Sequence, residues 1–553
     1  MPATAAVSAT CRPERKQSDQ EDLMTKPASI LSALMATACI TLNQPARAQA
    51  VDPKLGKVHF ETSCSLDAAA AVDRGMLYQH SFWYRASQRE FNKALTADPG
   101  CAIAWWGIAL SLLWNPHVAP PAQNLADGAA ALAKGREAGA RTERERDYIT
   151  ALSAMYTDYD KVDHHTRVLN YMRAMEQLAA KYPNDDEAQI DYAITLNVGA
   201  SPTDKTYANQ LKGAAILEKI WVRQPDHPGI PHYLIHLYDS PALAEKGVEA
   251  ARRYAKVAPD APHALHMPSH IFTRVGYWRE SIDSNIAAAR AAKEEKEAAD
   301  QLHAQDYEVY AYLQLGQDAQ AKAVIDDMMT VPVSNATFLA AAYALAASPA
   351  RYAVERGDWK GAAALELRPV PLPHITAITW FAKGLGAARS GDPAQAQAAI
   401  AQLVALRDPL REKKDAYWSE QVDIQSRTVT AWVQFEAGHQ DEALKTMSSA
   451  ADAEDKTEKH PVTPGQLTPA RELYAAMLLQ AGKPTEALAA FETTMHKEPN
   501  RLNATIGAAN AAAAAGDVVK AKQYFAAATA LASDASVTRP EIAKARAFLA
   551  SAK

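Results

Sequence analysis

The sequence has no basic stripe and no basic tail. Its 58 Lys and Arg are outnumbered by 64 Asp and Glu, for a net charge of -6, so nothing in the charge pattern points to a nucleic-acid partner. No alternating apolar–polar stretch survives over a useful length, which argues against strands. The apolar run near the start, Ile30 to Leu42, is too short for a comfortable membrane span, and no transmembrane segment is expected. Familiar catalytic signatures are also missing: there is no GxSxG elbow, no P-loop and no Rossmann fingerprint on a strand. Two His-x3-His pairs, His232/His236 and His266/His270, carry Tyr233 and Met267 where a zinc protease of the HExxH type has glutamate. Cysteine is scarce, with four residues in all.

What is present describes a soluble globular chain, 48% hydrophobic and 22% charged. Residues 1–50 read as a processing segment. Lys26, the apolar run and Ala48-Gln49-Ala50 have the order of a secretory signal peptide that starts at Met24 and is cleaved after Ala50. Cys39 offers a lipoprotein alternative, with Ala36 where a leucine is wanted. The expected location is periplasmic or secreted. Cys64 and Cys101 remain in the mature chain, as a disulfide or as two buried thiols.

The rest reads as helical hairpins. A glycine, often followed by aspartate, closes one helix and opens the next at Gly276, Gly316, Gly357, Gly391, Gly438, Gly482 and Gly516. A 34-residue period relates Pro225 to Pro259, His232 to His266 and His236 to His270. With Pro99 as repeat position 32, Gly75, Tyr78, Phe91 and Ala94 fall at positions 8, 11, 24 and 27, and Ser87 stands at position 20, which is usually alanine. Gly482, Ala487, Phe491 and Pro499, then Gly516, Ala521 and Phe525, repeat the pattern. On these residues the chain resembles tetratricopeptide repeat proteins over roughly 70–550, and in particular exported bacterial ones. The resemblance implies an all-α fold, a right-handed superhelix (α-solenoid) of helix-turn-helix repeats. The expected divisions are 1–50, an N-terminal half 51–330 with a His-rich groove, a connecting segment 331–350, and C-terminal repeats 351–553 that end in a capping helix. The stretch Lys456 to Gly465 reads as a surface loop or as a lid offering His460 or Glu458.

The same register puts His263, His266 and His270 at positions 2, 5 and 9, and His232 and His236 at 5 and 9. The resemblance implies that these positions face the concave groove, and the i, i+3, i+7 spacing independently places the three on one helical face. Gly276 and Gly316 are 40 residues apart, so subtracting 40 maps His303 onto His263, Asp306 onto His266 and Tyr310 onto His270. All are expected in one patch. Neutral imidazole suits copper, zinc or iron, whereas calcium and magnesium prefer oxygen. The expected metal ligands are therefore His232, His236, His263, His266, His270 and His303, with Asp239, Asp306 and Arg274 as catalytic candidates and Glu308 as a further base. The alternatives are a polar lining for a peptide or small anion, or structural histidines. His80, at position 13 of the first repeat, is an outside candidate. The leading expectation is a metal-dependent enzyme, hydrolytic or oxidative, acting on a small molecule or peptide. The competing ones are a scaffold that binds a peptide or protein partner in the groove, and a metal-delivery protein.

Overall fold

Alanine-rich amphipathic runs punctuated by glycine fold as helices throughout. The computed structural model describes residues 53–332, 339–368 and 370–551. The expected signal segment and its cleavage point after Ala50 lie outside the described residues, as do residues 333–338 of the expected connector. Among the described residues there are 26 helices and no strand. The first nine are α1 (Leu66–His80), α2 (Tyr84–Ala97), α3 (Ala102–Leu112), α4 (Ala122–Ala138), α5 (Glu143–Tyr156), α6 (His164–Lys181), α7 (Asp186–Val198), α8 (Ala208–Trp221) and α9 (Gly229–Tyr238). Then come α10 (Ala244–Val257), α11 (Pro262–His266), α12 (Pro268–Val275), α13 (Trp278–Glu294), α14 (Ala298–Gln314), α15 (Asp318–Met328), α16 (Leu339–Glu355), α17 (Trp359–Ala363) and α18 (Pro373–Ser390). The last eight are α19 (Pro393–Glu412), α20 (Ala416–Glu436), α21 (Gln440–Asp455), α22 (Ala470–Gln480), α23 (Pro484–Lys497), α24 (Leu502–Ala514), α25 (Val518–Leu531) and α26 (Pro540–Ser551). Successive helices pack on one another along the chain, as in an α-solenoid. No described helix is long and apolar enough to cross a membrane.

The seven expected glycine stops all have positive φ, between 63° and 86°. The Gly-Asp dipeptide has a division of labour. Glycine ends one helix left-handed, and the aspartate carboxylate then caps the next by accepting from the N–H three residues on. Asp358 accepts from Gly361 at 2.9 Å, Asp392 from Gln395 at 2.9 Å and Asp517 from Lys520 at 3.0 Å. The small–aromatic pairs also pack as the repeat pattern requires. Phe91 lies so close to Gly75 and Gly107 that a Cβ there would stand 2.7 and 2.4 Å from its ring, and Phe491 treats Gly507 the same way at 2.3 Å.

Cys64 and Cys101 form a disulfide that ties the entry of α3 to the segment before α1. Pro53–Lys553 is one compact unit. The expected connector 331–350 is only partly a connector, because α16 begins at Leu339. Contacts join the two expected halves directly: Trp278 Nε1 donates to Asn500 O at 2.8 Å, and Arg539 binds Asp318 at 2.6 Å. Gly276 has φ +71°, and a Cβ on it would meet Pro499 O at 2.3 Å, so glycine is needed there twice over.

Candidate metal centre

Six histidines gather on four helices as two triads. In the first, His232 and His236 of α9 meet His263 of α11; in the second, His266 of α11 and His270 of α12 meet His303 of α14. Each triad is thus an i, i+4 pair plus one residue from the helix after next, with α10 and α13 intervening. Pro268, which has no N–H to continue the ladder, separates α11 from α12 between the two members of the second pair. His232 Nε2 lies 3.1 Å from His263 Nε2 and 3.2 Å from His236 Nε2. His266 Nε2 lies 3.1 Å from His270 Nε2, and the His266 and His303 ring centroids are 4.3 Å apart. Within each triad, one nitrogen from every ring falls within 4.8 Å of the others. The triads adjoin: His236 and His270 have centroids 6.1 Å apart, and His263 and His266 6.2 Å. His232, His236, His266 and His270 are buried, and His263 and His303 half-buried.

The partners of the outer nitrogens set the tautomer of three of the six rings. His232 Nδ1 faces the carbonyl of His80 at 2.6 Å, so it carries the hydrogen and donates. His266 Nδ1 faces Asn285 Oδ1 at 2.7 Å, and that amide is oriented because its Nδ2 donates to Ser281 O at 2.6 Å. His270 Nδ1 donates to Asp239 Oδ2 at 3.0 Å. In the neutral rings, Nε2 of all three then carries a bare lone pair. His266 Nε2 and His270 Nε2 consequently point two lone pairs at each other across 3.1 Å. A proton between them is disfavoured, since burial lowers the pKa of both rings, and Asp239 only partly opposes this at His270. A cation between the two nitrogens would relieve that repulsion.

A third group with the same kind of side chains makes a useful contrast. His80 Nε2 and His227 Nε2 donate to the two oxygens of Glu187 at 2.9 and 2.8 Å. His80 Nδ1 accepts from Tyr233 OH at 3.0 Å, and His227 Nδ1 from Gly229 N–H at 3.1 Å. Every ring nitrogen is satisfied by a hydrogen bond, although the three side chains gather as closely as those of each triad. The cluster positions the His80 carbonyl on which His232 depends.

The charged candidates are placed differently from expectation. Asp239 does not stand free as a base. It accepts from Arg274 Nε at 2.8 Å and Lys459 Nζ at 2.7 Å as well as from His270. Burial works to raise its pKa, but Lys459 and Arg274 outweigh it and hold the carboxyl well below the usual range. Arg274 is buried against Asp239 rather than exposed for a substrate. Asp306 accepts from Arg351 at 2.7 Å and Ser348 at 3.0 Å, on the side of α14 that faces α16, and is not brought to the histidines. Tyr310 likewise turns to Arg501 at 3.1 Å. The equivalence of His303 with His263 holds, but positions equivalent to His266 and His270 face onward to the next helix, which here carries Arg351. Tyr307 meets the triad instead, with ring centroids 4.8 Å from His266 and 4.9 Å from His270. Glu308, pushed up to about 7 by burial and then by Asp327, belongs to another face of α14.

Two further elements close on the site. Lys459 comes from the Lys456–Gly465 stretch, and Glu458 beside it accepts from Lys205 at 2.5 Å and Tyr207 at 2.9 Å. The stretch therefore packs beside the histidines through the Lys459–Asp239 pair, and His460 stacks on Trp418. The second is the loop between α3 and α4. It lays His117 against His236, centroids 4.8 Å apart, with Nε2 buried and unpartnered. His117 occupies no repeat position, and no spacing in the sequence signals it.

The family model for the tetratricopeptide repeat matches residues 478–550. Among solved structures, yeast Tom70 is similar at 13% identity over 88% of this chain and 95% of its own, with a TM-score of 0.27. The P58(IPK) TPR domain is similar at 14% identity over 67% of this chain and 99% of its own, with a TM-score of 0.21. No curated protein matches the chain.

Proposed function

We propose that the two histidine triads each hold one transition-metal ion, with copper the first choice, and that the chain is a metal-dependent enzyme of the oxidative kind built on a tetratricopeptide-like solenoid. The observation that carries this reading is the pair of bare Nε2 atoms in the second triad, each with its opposite nitrogen tied to a fixed acceptor. Carbonyl, amide and carboxylate partners of that sort orient metal-binding imidazoles. Two nitrogens on one tetrahedral ion at about 2.0–2.1 Å stand about 3.3 Å apart, close to the 3.1 and 3.2 Å separations here.

Charge favours copper. Six neutral imidazoles bring none, and the one carboxylate touching them, Asp239, is already matched by Arg274 and Lys459. A buried site without anionic ligands disfavours highly charged ions, and singly charged copper accepts imidazole readily. Hydrolysis is the weaker alternative, because Asp239 and Asp306 are both engaged in buried ion pairs and neither is free to act as a base. Export to an oxidising compartment, expected from residues 1–50, fits the Cys64–Cys101 disulfide.

The match at 478–550 favours a second role for the C-terminal repeats, as a docking surface for a peptide or protein partner. Should the metal reading fail, a scaffold is what remains. Elemental analysis of the untagged protein from its native compartment tests the choice. Two equivalents of copper per chain are expected. A folded protein that is metal-free and also refuses added Cu(I) would leave the scaffold.

A further inference from the structure

Beside the first triad lies a cavity of about 70 Å³, walled by Phe82, Trp114, Tyr171, Asp191 and Tyr233 among others. Two of its walls are shared with the metal centre. Phe82 sets its ring 4.4 Å from His232, 5.0 Å from His263 and 5.7 Å from His236, centroid to centroid. Pro116 and Val118, also in the wall, flank His117, which packs on His236. Phe82 holds φ at +53°, a left-handed conformation that ordinary side chains rarely adopt. Strained residues of this kind cluster at ligand clamps.

The polar groups of the wall limit the occupant. Asp191 is buried, and its Oδ2 has no hydrogen-bond partner. Burial, then Glu187 and Asp185, push its carboxyl well above the ordinary value, which favours the neutral acid, both donor and acceptor. His164 Nδ1 is also without a partner, and burial lowers that ring to about 4. No lysine or arginine lines the cavity. An anion would find no counter-charge. Aromatic and aliphatic walls suit an apolar ring, and the unpartnered carboxyl suits a hydroxyl. A cavity that takes up benzene measures about 150 Å³, so a single ring would need the walls to give way, and Phe82 is the wall side chain that also packs on His232 and His263.

We propose that this cavity is the substrate pocket of the metal centre, and that it takes a small uncharged single-ring molecule bearing a hydroxyl group, a phenol. The proposal rests on the metal reading above for the word substrate, and on the cavity itself for binding.

Calorimetric titration of the full chain tests it, using phenol and benzoate against copper-loaded and metal-stripped preparations with copper content measured in each. Phenol should bind both forms and benzoate neither. Asp191→Asn keeps a neutral donor and acceptor and should bind within a few-fold of wild type. Asp191→Leu should bind about tenfold more weakly or worse, while melting no lower than wild type, since it removes an unpaired buried group. Phenol should also perturb the electron paramagnetic resonance signal of the copper(II) form, and less so in Asp191→Leu. Equal binding of benzoate, no binding of phenol, or unchanged binding in a folded Asp191→Leu variant would overturn the pocket. Phenol binding by a protein that takes up no copper would overturn the metal reading and reduce the cavity to a ligand site. Copper uptake without phenol binding would do the reverse.

Discussion

At the scale of single residues, the account turns on which nitrogen of each imidazole carries its hydrogen. Asn285 holds His266 by accepting from Nδ1. Asn285→Leu removes that acceptor and frees the ring to flip tautomer. Copper affinity at the second triad should then fall about 10–100-fold while the first triad keeps its ion, as read by competition with a chromophoric Cu(I) chelator. Protonation gives a second prediction. Burial depresses His232, His303 and His460 to about 3, and His117, His164 and His374 to about 4. The unfolded chain takes up these protons near pH 6.5 and the folded chain does not, so stability is lost as pH falls from about 6.5 toward 4, by up to about 1.4 kcal/mol per pH unit per group. Asp300, Glu308 and Glu454, pushed up to about 7 by burial, act oppositely below that pH but are fewer. Melts of the metal-free protein at pH 7.5 and 5.5 should show a marked fall in Tm at the lower pH, reduced by copper. Equal melting temperatures would mean that the histidines reach water.

At the scale of helices, small residues set how closely neighbours approach. A Cβ at Gly107 would stand 2.4 Å from the Phe91 ring. Gly107→Ala should therefore cost about 1–3 kcal/mol in denaturant unfolding, and a change within error would contradict that packing. Much of this scale was legible in the sequence. The glycine stops, the Gly-Asp caps and the glycine–phenylalanine pairs follow from local chemistry that one chain displays by itself. The 34-residue spacing also put His232, His236, His263, His266 and His270 on a common face. What spacing does not encode is which neighbour a position meets. Asp306 occupies the place equivalent to His266, yet that place looks forward along the stack, to Arg351. Tyr307 and His117 were invisible for the same reason: one sits a single position from the repeat pattern, and the other lies in a loop that the pattern does not describe.

At the scale of the molecule, the C-terminal half reaches back over the N-terminal one. Lys459 buries its ammonium against Asp239, although burial lowers its pKa to about 8. Lys459→Met should cost about 1.5–3 kcal/mol through the lost charged hydrogen bond. It should also expose the 456–465 stretch to limited proteolysis and speed the release of copper to a chelator. Unchanged cleavage and release would show that the stretch merely rests on the surface. Long-range closure of this kind joins residues 220 apart in sequence, and no periodicity announces it. Composition showed a charged, proline-rich segment and left its role open between loop and lid.

The central claim is that two histidine triads hold two ions. Anaerobic Cu(I) titration of the wild-type chain beside His232→Ala and His266→Ala, with folding checked by circular dichroism, tests it most directly. The account predicts two equivalents for the wild type and one for each variant, since each change empties one triad. No uptake by the wild type, or uptake that neither substitution alters, would contradict it.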